Sequence, residues 1–206
     1  MKIENIKPAD IEKRSFEIIG EILGDKKLDP EQEPIIKRCI HTSADFEYAD
    51  SMYFSPGVID KLKTAIKNGA VIVTDTNMAK AGINKRKIHE YGGEVRCFIA
   101  DDDVANEAKE RGVTRSLVSM ERAAEIQKPV IFAIGNAPTA LFSICDLVER
   151  GKLNPVAVIG VPVGFVNVVE SKERLIDLGI PVIVARGRKG GSNIAAAIVN
   201  AVQYQI

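Results

Sequence analysis

The stretch Val130-Ile131-Phe132-Ala133-Ile134-Gly135-Asn136-Ala137-Pro138-Thr139 decides the fold, because it contains the passage from a buried strand into a helix. Five successive apolar residues, several of them β-branched, predict a strand that is covered on both faces. The glycine and asparagine interrupt this run, and the proline suits the first turn of a helix. Apolar residues then recur at helical spacing from Ala137 to Arg150. The segment predicts one strand-loop-helix unit of a parallel sheet.

Similar units occur on both sides of this one. Helical segments separate the apolar runs, and this alternation is typical of a doubly wound α/β fold. We therefore predict a mostly parallel sheet of about five strands flanked by helices. The predicted strands besides Val130–Ile134 are Ala70–Thr74, Glu94–Ala100, Val156–Gly160 and Pro181–Ala185.

The first third of the chain has a different pattern, which predicts extra N-terminal helices. Two of them are Asp10–Leu23 and Glu31–His41, and a third begins at Ser55-Pro56 and runs towards Asn68. No internal repeat, low-complexity tract or Gly/Ser linker divides the chain. We expect the N-terminal helices to pack onto the same sheet, so that residues 1–206 form a single domain.

The composition excludes several classes of protein. With 46% hydrophobic and 27% charged residues, the chain is typical of a soluble globular protein. Its 28 basic residues balance 28 acidic ones, and tryptophan is absent, so neither nucleic acid nor a membrane is an expected partner. The three cysteines are too few and too scattered for a disulfide framework or a metal knuckle. No signal peptide or membrane helix is visible, and we expect a cytoplasmic protein.

Ligands of open α/β sheets bind beyond the carboxyl ends of the strands, where loops lead into helices. Small and polar residues dominate the loops that follow the predicted strands. These loops are Thr74–Met78, Gly135–Thr139, Gly160–Asn167 and Gly187–Asn193. The candidate site is therefore expected at this edge of the sheet.

The loop Gly187-Arg188-Lys189-Gly190-Gly191-Ser192-Asn193 combines backbone amides at a predicted helix start with two cations. Such a loop suits a carboxylate or a phosphate, with Arg188 and Lys189 as ligand-binding side chains. A glycine-rich turn with a solvated basic pair is an equally good interpretation. The spacing matches neither the dinucleotide fingerprint nor the phosphate loop of nucleotide-binding proteins, so no nucleotide cofactor is indicated.

Two other loop regions carry weaker signals. Asn136 and Thr139 are able to cap the following helix or to bind a ligand, and a structural cap is the favoured interpretation. Lys172 lies on the helix that follows Gly160–Asn167. It has the length to reach a bound anion, but a charged run of this kind usually forms a solvated helix face.

The two histidines lie in unlike contexts. His89 precedes a glycine pair near a predicted helix end, where a surface cap is the natural role. His41 precedes a cluster of short polar residues, in which Thr42 and Ser43 are able to orient the imidazole and Asp45 is a carboxylate able to hold its charged form. A purely structural histidine is the alternative. No second histidine or cysteine falls at metal-ligand spacing, so no metal site is predicted.

Taken together, these motifs resemble the precorrin-8 methylmutase family over nearly the whole chain. The segments that carry the resemblance are Ile40–Phe46, Asp75–Met78, Gly135–Phe142, Gly160–Val166 with Glu170–Lys172, and Gly187–Ser192, joined by Arg14–Phe16 and Thr114–Ser116. Each motif alone is weak, but their common order along the chain is specific. The resemblance implies a homodimeric α/β isomerase of cobalamin (porphyrin-type tetrapyrrole) biosynthesis.

The resemblance also implies the reaction and the residues that serve it. The substrate is precorrin-8 or its cobalt complex, and a methyl group moves from ring carbon 11 to carbon 12 to give hydrogenobyrinic or cobyrinic acid. His41 is the implied catalytic acid, and Ser15 and Arg115 match positions of the family's substrate pocket. The other residues that we predict to bind the substrate are Arg14, Thr42, Ser43, Asn136, Thr139, Arg188 and Lys189.

An intramolecular shift needs no nucleotide, S-adenosylmethionine or protein-bound metal, and no motif for them is present. The sequence leaves open whether the substrate carries cobalt, since that metal belongs to the ligand. A non-catalytic tetrapyrrole carrier and a nucleotide-dependent enzyme on a similar sheet are the alternative functions.

Overall fold

The computed structural model describes residues 4–206, and the six strands in this part of the chain form one sheet. They are β1 (Met52–Phe54), β2 (Val71–Thr74), β3 (Glu94–Arg96), β4 (Val130–Ile134), β5 (Ala157–Gly160) and β6 (Val182–Ala185). The order across the sheet is β1-β6-β5-β4-β2-β3. All pairs are parallel except β1 with β6. The predicted α/β class and the mostly parallel sheet are confirmed.

The sequence did not predict β1. This strand has three half-buried residues and pairs with β6 in antiparallel register, with Met52 opposite Ala185. A three-residue edge strand has no apolar run to identify it, and its hydrogen bonds depend on a partner that is distant in sequence. Among the predicted strands, Glu94–Ala100 is shorter than expected, because β3 ends at Arg96.

Helices occupy most of the connections. They are α1 (Ile11–Leu23), α2 (Glu33–Ser43), α3 (Tyr48–Ser51), α4 (Val58–Lys67), α5 (Asn77–Gly82), α6 (Lys85–Glu90), α7 (Asp102–Arg111), α8 (Arg115–Ala124), α9 (Pro138–Glu149), α10 (Val168–Asp177) and α11 (Ser192–Gln203), with a short 3₁₀ helix at Pro8–Asp10. None of the helices in residues 4–206 has both the length and the apolar character needed to cross a membrane.

The predicted N-terminal helices are present, but two of them start later than predicted, and one of these is α2, which begins at Glu33 and not at Glu31. The third was expected to begin at Pro56, but α4 begins at Val58. Gly57 adopts a left-handed backbone conformation with φ of 69°, which ends the turn containing Pro56 and allows the helix to start only after it.

Side chains of the central strands alternate between two hydrophobic layers, as the period of a strand requires. In β4, Ile131 and Ala133 face the layer that includes α2, α4 and α11. Phe132 and Ile134 face the opposite layer, which includes α8, α9 and α10. Because helices cover both faces, the strands read as unbroken apolar runs in the sequence.

The order of the strands defines a switch point. From β2 the chain adds β3 on one side of the strand and β4 on the other. Crevices for ligands form at such points, beyond the carboxyl ends of the two diverging strands. The loops after β2 and β4 therefore meet at the place where the sequence predicted a site.

Candidate functional site

The loops after β2 and β4 are joined by the carboxylate of Asp75, which is only 1% exposed. Its Oδ1 accepts a hydrogen bond from the backbone N–H of Gly135 at 2.9 Å. Its Oδ2 accepts from the N–H groups of Asn136 at 2.8 Å and Ala137 at 2.7 Å. Burial raises the pKa of Asp75, and the three N–H groups act in the opposite direction. Asp75 therefore fixes the backbone of the loop after β4.

Asp75 lies in the segment Asp75–Met78, but the sequence predicted no role for it. The only local signal is an acidic residue directly after a buried strand. The expected side-chain cap of α9 was wrong. Ala137 occupies the N-terminal cap position, and an alanine has no side-chain atom that could accept from the N–H groups of the first helical turn.

The loops after β5 and β6 are in direct backbone contact. The N–H of Gly191 donates to the carbonyl of Val161 at 2.9 Å, and the N–H of Gly164 donates to the carbonyl of Arg188 at 3.1 Å. A Cβ atom on Gly190 would lie 2.1 Å from the Val161 oxygen, so only glycine fits there. These contacts make the two loops one surface.

The two pairs of loops also meet each other. The hydroxyls of Thr76 and Ser192 lie 2.7 Å apart, which links the loop after β2 to the first turn of α11. A Cβ atom on Gly135 would lie 2.6 Å from the Cα atom of Ser192. All four loops singled out in the sequence therefore form one contiguous surface at the carboxyl edge of the sheet.

Lys172 does not lie on a solvated helix face, and that interpretation was wrong. Its side chain is fully buried, and Nζ donates to the carbonyl oxygens of Gly187 and Lys189, both at 2.8 Å. Burial lowers the pKa of Lys172 to about 8. The residue binds the loop after β6 from the interior, so it is also not free to reach a ligand directly. Helical spacing alone did not predict this contact, because the loop is distant in sequence.

The two cations of the loop after β6 have different surroundings. Lys189 forms ion pairs with Asp45 at 2.5 Å and Glu47 at 2.6 Å, which join the loop to the segment after α2. Arg188 is exposed and has no ion pair within residues 4–206. Of the predicted pair, Arg188 is thus the cation that is free for a ligand.

The expected contact between Asp45 and His41 is absent from residues 4–206. Asp45 accepts from Lys189 and from the backbone N–H of Glu47 at 3.0 Å. The Lys189 ammonium lowers the pKa of Asp45. The Asp45 carboxylate is therefore not available to the His41 imidazole. Its partner, Lys189, is distant from it in the sequence.

His41 lies in the last turn of α2 with an exposed side chain. Its ring stacks on Phe16 of α1, with centroids 5.2 Å apart and an interplanar angle of 19°. The guanidinium of Arg38 lies 4.8 Å from the Phe16 ring centroid and pairs with Glu12. The imidazole is therefore oriented by stacking, and neither ring nitrogen has a hydrogen-bond partner within residues 4–206.

Two cavities share His41 as a wall. One, of about 360 Å³, is mainly apolar and lies between α1 and α2. The other, of about 300 Å³, lies between α2 and α11 and reaches Asn193 at the end of the loop after β6. The lining of the first includes Ser15, Ile18, Ile22, Ile40 and Phe46, and that of the second includes Arg38, Thr42, Gly82, Ala197 and Tyr204. The structure thus brings His41, Ser15 and Thr42 together.

Other predicted residues contribute less directly. Ser43 bonds within the end of α2, donating to the Cys39 carbonyl at 2.8 Å. Arg14 is engaged by carboxylates, with ion pairs to Glu4 at 3.1 Å and Glu21 at 2.9 Å. The remaining three have exposed side chains that make no hydrogen bond within residues 4–206, and they are Arg115, Asn136 and Thr139.

Two further cavities, of about 370 and 480 Å³, lie near the end of α8 and the segment before β4. The first is lined by residues near the ends of α8 and α9, and the second also runs along the edge strand β3, from Glu94 to Phe98 beyond its end. Their walls include Glu107 and Arg122, which already pair with each other at 2.8 Å. They are separate from the site around His41.

Comparison of the sequence with known protein families identifies the family of this chain. The family described as precorrin-8X methylmutase (CbiC) matches residues 10–205. The chain belongs to the precorrin-8X methylmutase family. The resemblance recognised from the scattered motifs is confirmed.

Individual methylmutases agree with this placement. The chain is 46% identical to the cobalt-precorrin-8 methylmutase of Priestia megaterium, with 96% of this chain and 88% of the relative covered. It is 45% identical to the cobalt-precorrin-8 methylmutase of Salmonella typhimurium, over 97% and 96% of the two chains. The crystal structure of the Thermus thermophilus precorrin-8x methyl mutase superimposes with a TM-score of 0.87 at 35% identity and covers 95% of both chains.

Proposed function

We propose that this chain is a cobalt-precorrin-8 methylmutase that moves a methyl group from carbon 11 to carbon 12 of the macrocycle, with His41 as the acid. The observation that carries the proposal is the position of His41. Its unbonded imidazole is the wall shared by two cavities, beside loops able to bind anions. The names of the two reported relatives favour the cobalt form of the substrate.

The site has surfaces for both parts of a corrin precursor. The apolar cavity along Ile18, Ile22 and Phe46 suits the ring itself. The carboxylates of the acetate and propionate side chains suit the Arg188 and Arg115 guanidinium groups and free N–H groups of the loop after β6. Asn136 and Thr139 add neutral donors on the same edge of the sheet.

The chemistry assigned to His41 is general acid catalysis. A proton given to the conjugated macrocycle makes it more electron-poor, and the methyl group then migrates with its bonding electrons from one ring carbon to its neighbour. The proton returns to the imidazole, so no oxidant, reductant or second substrate is consumed. Acid catalysis by a positioned imidazole near neutral pH contributes about 10²–10⁴-fold to a rate.

The remaining features of the proposal follow from the reaction. The methyl group comes from the substrate itself, so no nucleotide, S-adenosylmethionine or protein-bound metal is needed. We place the enzyme in the cytoplasm as a single domain over residues 1–206 that forms a homodimer. An exposed apolar stripe on α1 runs from Ile11, which is 53% exposed, to Ile22 in the lining of the apolar cavity, and it supports packing against a second copy beside the substrate site.

The dimer is tested by light scattering on the purified protein. The expected mass is twice the 22.4 kDa of one chain. Ile11→Lys, on the same stripe but outside the lining of the apolar cavity, should shift the protein towards monomer, whereas Lys63→Ile on α4 should not. A monomeric wild type would rule out the homodimer.

The acid role is tested by substituting each of the two histidines. The absorption spectrum of the chromophore is followed after mixing enzyme with cobalt-precorrin-8 or its metal-free form. We expect His41→Ala and His41→Asn to bind the tetrapyrrole but to lose turnover by at least about 10²-fold. His89→Asn is the matched control, because His89 is exposed on α6 and should retain the wild-type rate. Turnover of His41→Ala near the wild-type rate would contradict the assignment.

The intramolecular route is tested by isotope labelling. Equal amounts of methyl-labelled and unlabelled substrate are converted together, and the masses of the products are measured by mass spectrometry. Label should remain in the molecule that carried it. A wild type that binds the tetrapyrrole without any conversion would instead indicate a carrier.

A further inference from the structure

Lys172 is a buried cation whose ammonium group binds only backbone within residues 4–206. Nζ donates to the carbonyl oxygens of Gly187 and Lys189, and no carboxylate forms an ion pair with it. Burying a charge without an opposite charge is costly, and an apolar side chain of similar size would satisfy packing at lower cost. Packing alone therefore does not account for a lysine at this position.

The geometry of the peptide group links Lys172 to the outer surface of the loop. In a trans peptide the carbonyl of one residue and the N–H of the next point in opposite directions, and the loop contains no cis bond. The Gly187 and Lys189 carbonyls point inward to Nζ. The N–H groups of Arg188 and Gly190 therefore point outward, away from Lys172.

These two outward N–H groups are free. Neither donates to an acceptor within residues 4–206. The carbonyl between them, that of Arg188, is taken by the N–H of Gly164. The carbonyl oxygens of residues 187–189 thus all accept hydrogen bonds from the protein. The groups that remain for a ligand are the N–H groups of Arg188 and Gly190 and the Arg188 guanidinium.

A bound cation also strengthens those donors. Hydrogen bonds that share a peptide group polarise one another, so an ammonium on the carbonyl makes the N–H of the same peptide a better donor to an anion. Lys172 acts in this way on two peptide groups at once, while its charge stays out of contact with any ligand.

We propose that Lys172 is a positioning residue that turns and polarises the N–H groups of Arg188 and Gly190 towards a carboxylate of the substrate. The proposal rests on the proposed function, in which this loop binds the acidic side chains of the tetrapyrrole. Lys172 does not touch the reacting carbons, so its effect falls on binding more than on the rate of the bound complex.

The test compares Lys172→Met with Arg174→Met. Both variants replace a cation on α10 with an unbranched apolar side chain, but Arg174 pairs with Asp146 and Glu149 on α9. We expect Lys172→Met to raise KM and the Kd for the tetrapyrrole by about 10- to 100-fold, as for loss of charge-assisted hydrogen bonding, with a smaller change in kcat. Arg174→Met should leave these constants unchanged.

A spectroscopic readout separates positioning from general loss of structure. In amide ¹H–¹⁵N spectra, Lys172→Met should move the signals of Arg188 and Gly190 while those of residues 135–137, held by Asp75, stay in place. A folded Lys172→Met with wild-type KM and unmoved signals at Arg188 and Gly190 would overturn the proposal.

If Lys172→Met fails to fold, the wild type supplies the test. Titration with the tetrapyrrole should shift the Lys172 ammonium resonance together with the Arg188 and Gly190 amides, and no response of the ammonium overturns the proposal. The proposed function fails separately, when the wild type neither binds nor converts the tetrapyrrole. Weak binding by Arg188→Ala with normal binding by Lys172→Met would refute the role of Lys172 alone.

Discussion

The loops after β4 and β6 are each held by one buried charged residue, and the two charges have opposite signs. Asp75 holds the first loop through three backbone N–H groups. Lys172 holds the second through two backbone carbonyl groups. Burial raises the pKa of the acid and lowers that of the base, so in each case it disfavours the charged form.

The sign of the buried charge decides what each loop has left for a ligand. The carboxylate of Asp75 consumes N–H donors, so the loop after β4 can offer mainly the side chains of Asn136 and Thr139. The ammonium of Lys172 consumes carbonyl acceptors, so the loop after β6 keeps its N–H groups for an anion. We therefore expect a polycarboxylate to bind the loop after β6 more strongly than the loop after β4.

Removing the carboxylate should have the largest effect on stability. Asp75→Ala leaves three N–H groups without an acceptor, two of them buried, and we expect the free energy of unfolding to fall by about 3–5 kcal/mol. Urea denaturation at neutral pH measures this. Asp50→Ala is the control, because Asp50 is exposed and only pairs with Lys26, so its loss should cost under about 1 kcal/mol. Equal midpoints for the two variants would show that Asp75 does not hold the loop.

Removing the ammonium should change how stability depends on pH. The pKa of Lys172 is about 8 in the folded protein and its ordinary value is 10.5. Between pH 8 and pH 10.5 the Lys172 side chain is protonated in the unfolded chain but mostly neutral in the folded protein. The free energy of unfolding therefore rises with pH across this range. The expected rise is about 3 kcal/mol, complete near pH 10.5 and absent below pH 8.

Lys172→Met should lack this rise. The difference between wild type and variant, measured by urea denaturation at pH 7.5 and pH 10, removes the contributions of other titrating groups. Parallel curves for the two proteins would contradict a depressed pKa at Lys172.

The cations on the loop after β6 should differ in their effect on binding. Arg188→Ala removes the free guanidinium and should weaken tetrapyrrole binding about 10-fold, with a smaller response to salt than the wild type. Lys189→Ala should weaken binding less, because Lys189 is already paired with Asp45 and Glu47. Titrations at low and high ionic strength check the ranking, and a larger loss for Lys189→Ala would reverse it.

The contact between the two sides of the site should have the smallest effect. Ser192→Ala removes the hydroxyl that lies 2.7 Å from that of Thr76. We expect a loss of about 1 kcal/mol, the usual net value of one hydrogen bond, and no change in the pH dependence assigned to Lys172. Thr76→Val should cost a similar amount or slightly more, since Thr76 also caps α5 through the Ala79 N–H. Additive losses in the double variant would indicate that the two hydroxyls act independently.

The sequence alone determined the parts of the protein that depend on local periodicity. Apolar runs such as Val130–Ile134 identified the parallel strands, since burial on both faces leaves a continuous hydrophobic signature. Loops rich in glycine and polar residues identified the edge of the sheet at which we propose the site. The order of weak motifs along the chain was enough to indicate the family, and His41 was singled out from a chain with two histidines.

Only the tertiary structure decided the contacts that join distant segments. The strand β1 exists because the edge of β6 accepts it. Lys189 takes the carboxylate of Asp45 that the sequence had assigned to His41. Asp75 and Lys172 are ordinary charged residues in the sequence. Their roles arise because folding withdraws them from water, where a charge must find backbone partners, and no local pattern states which partners those will be.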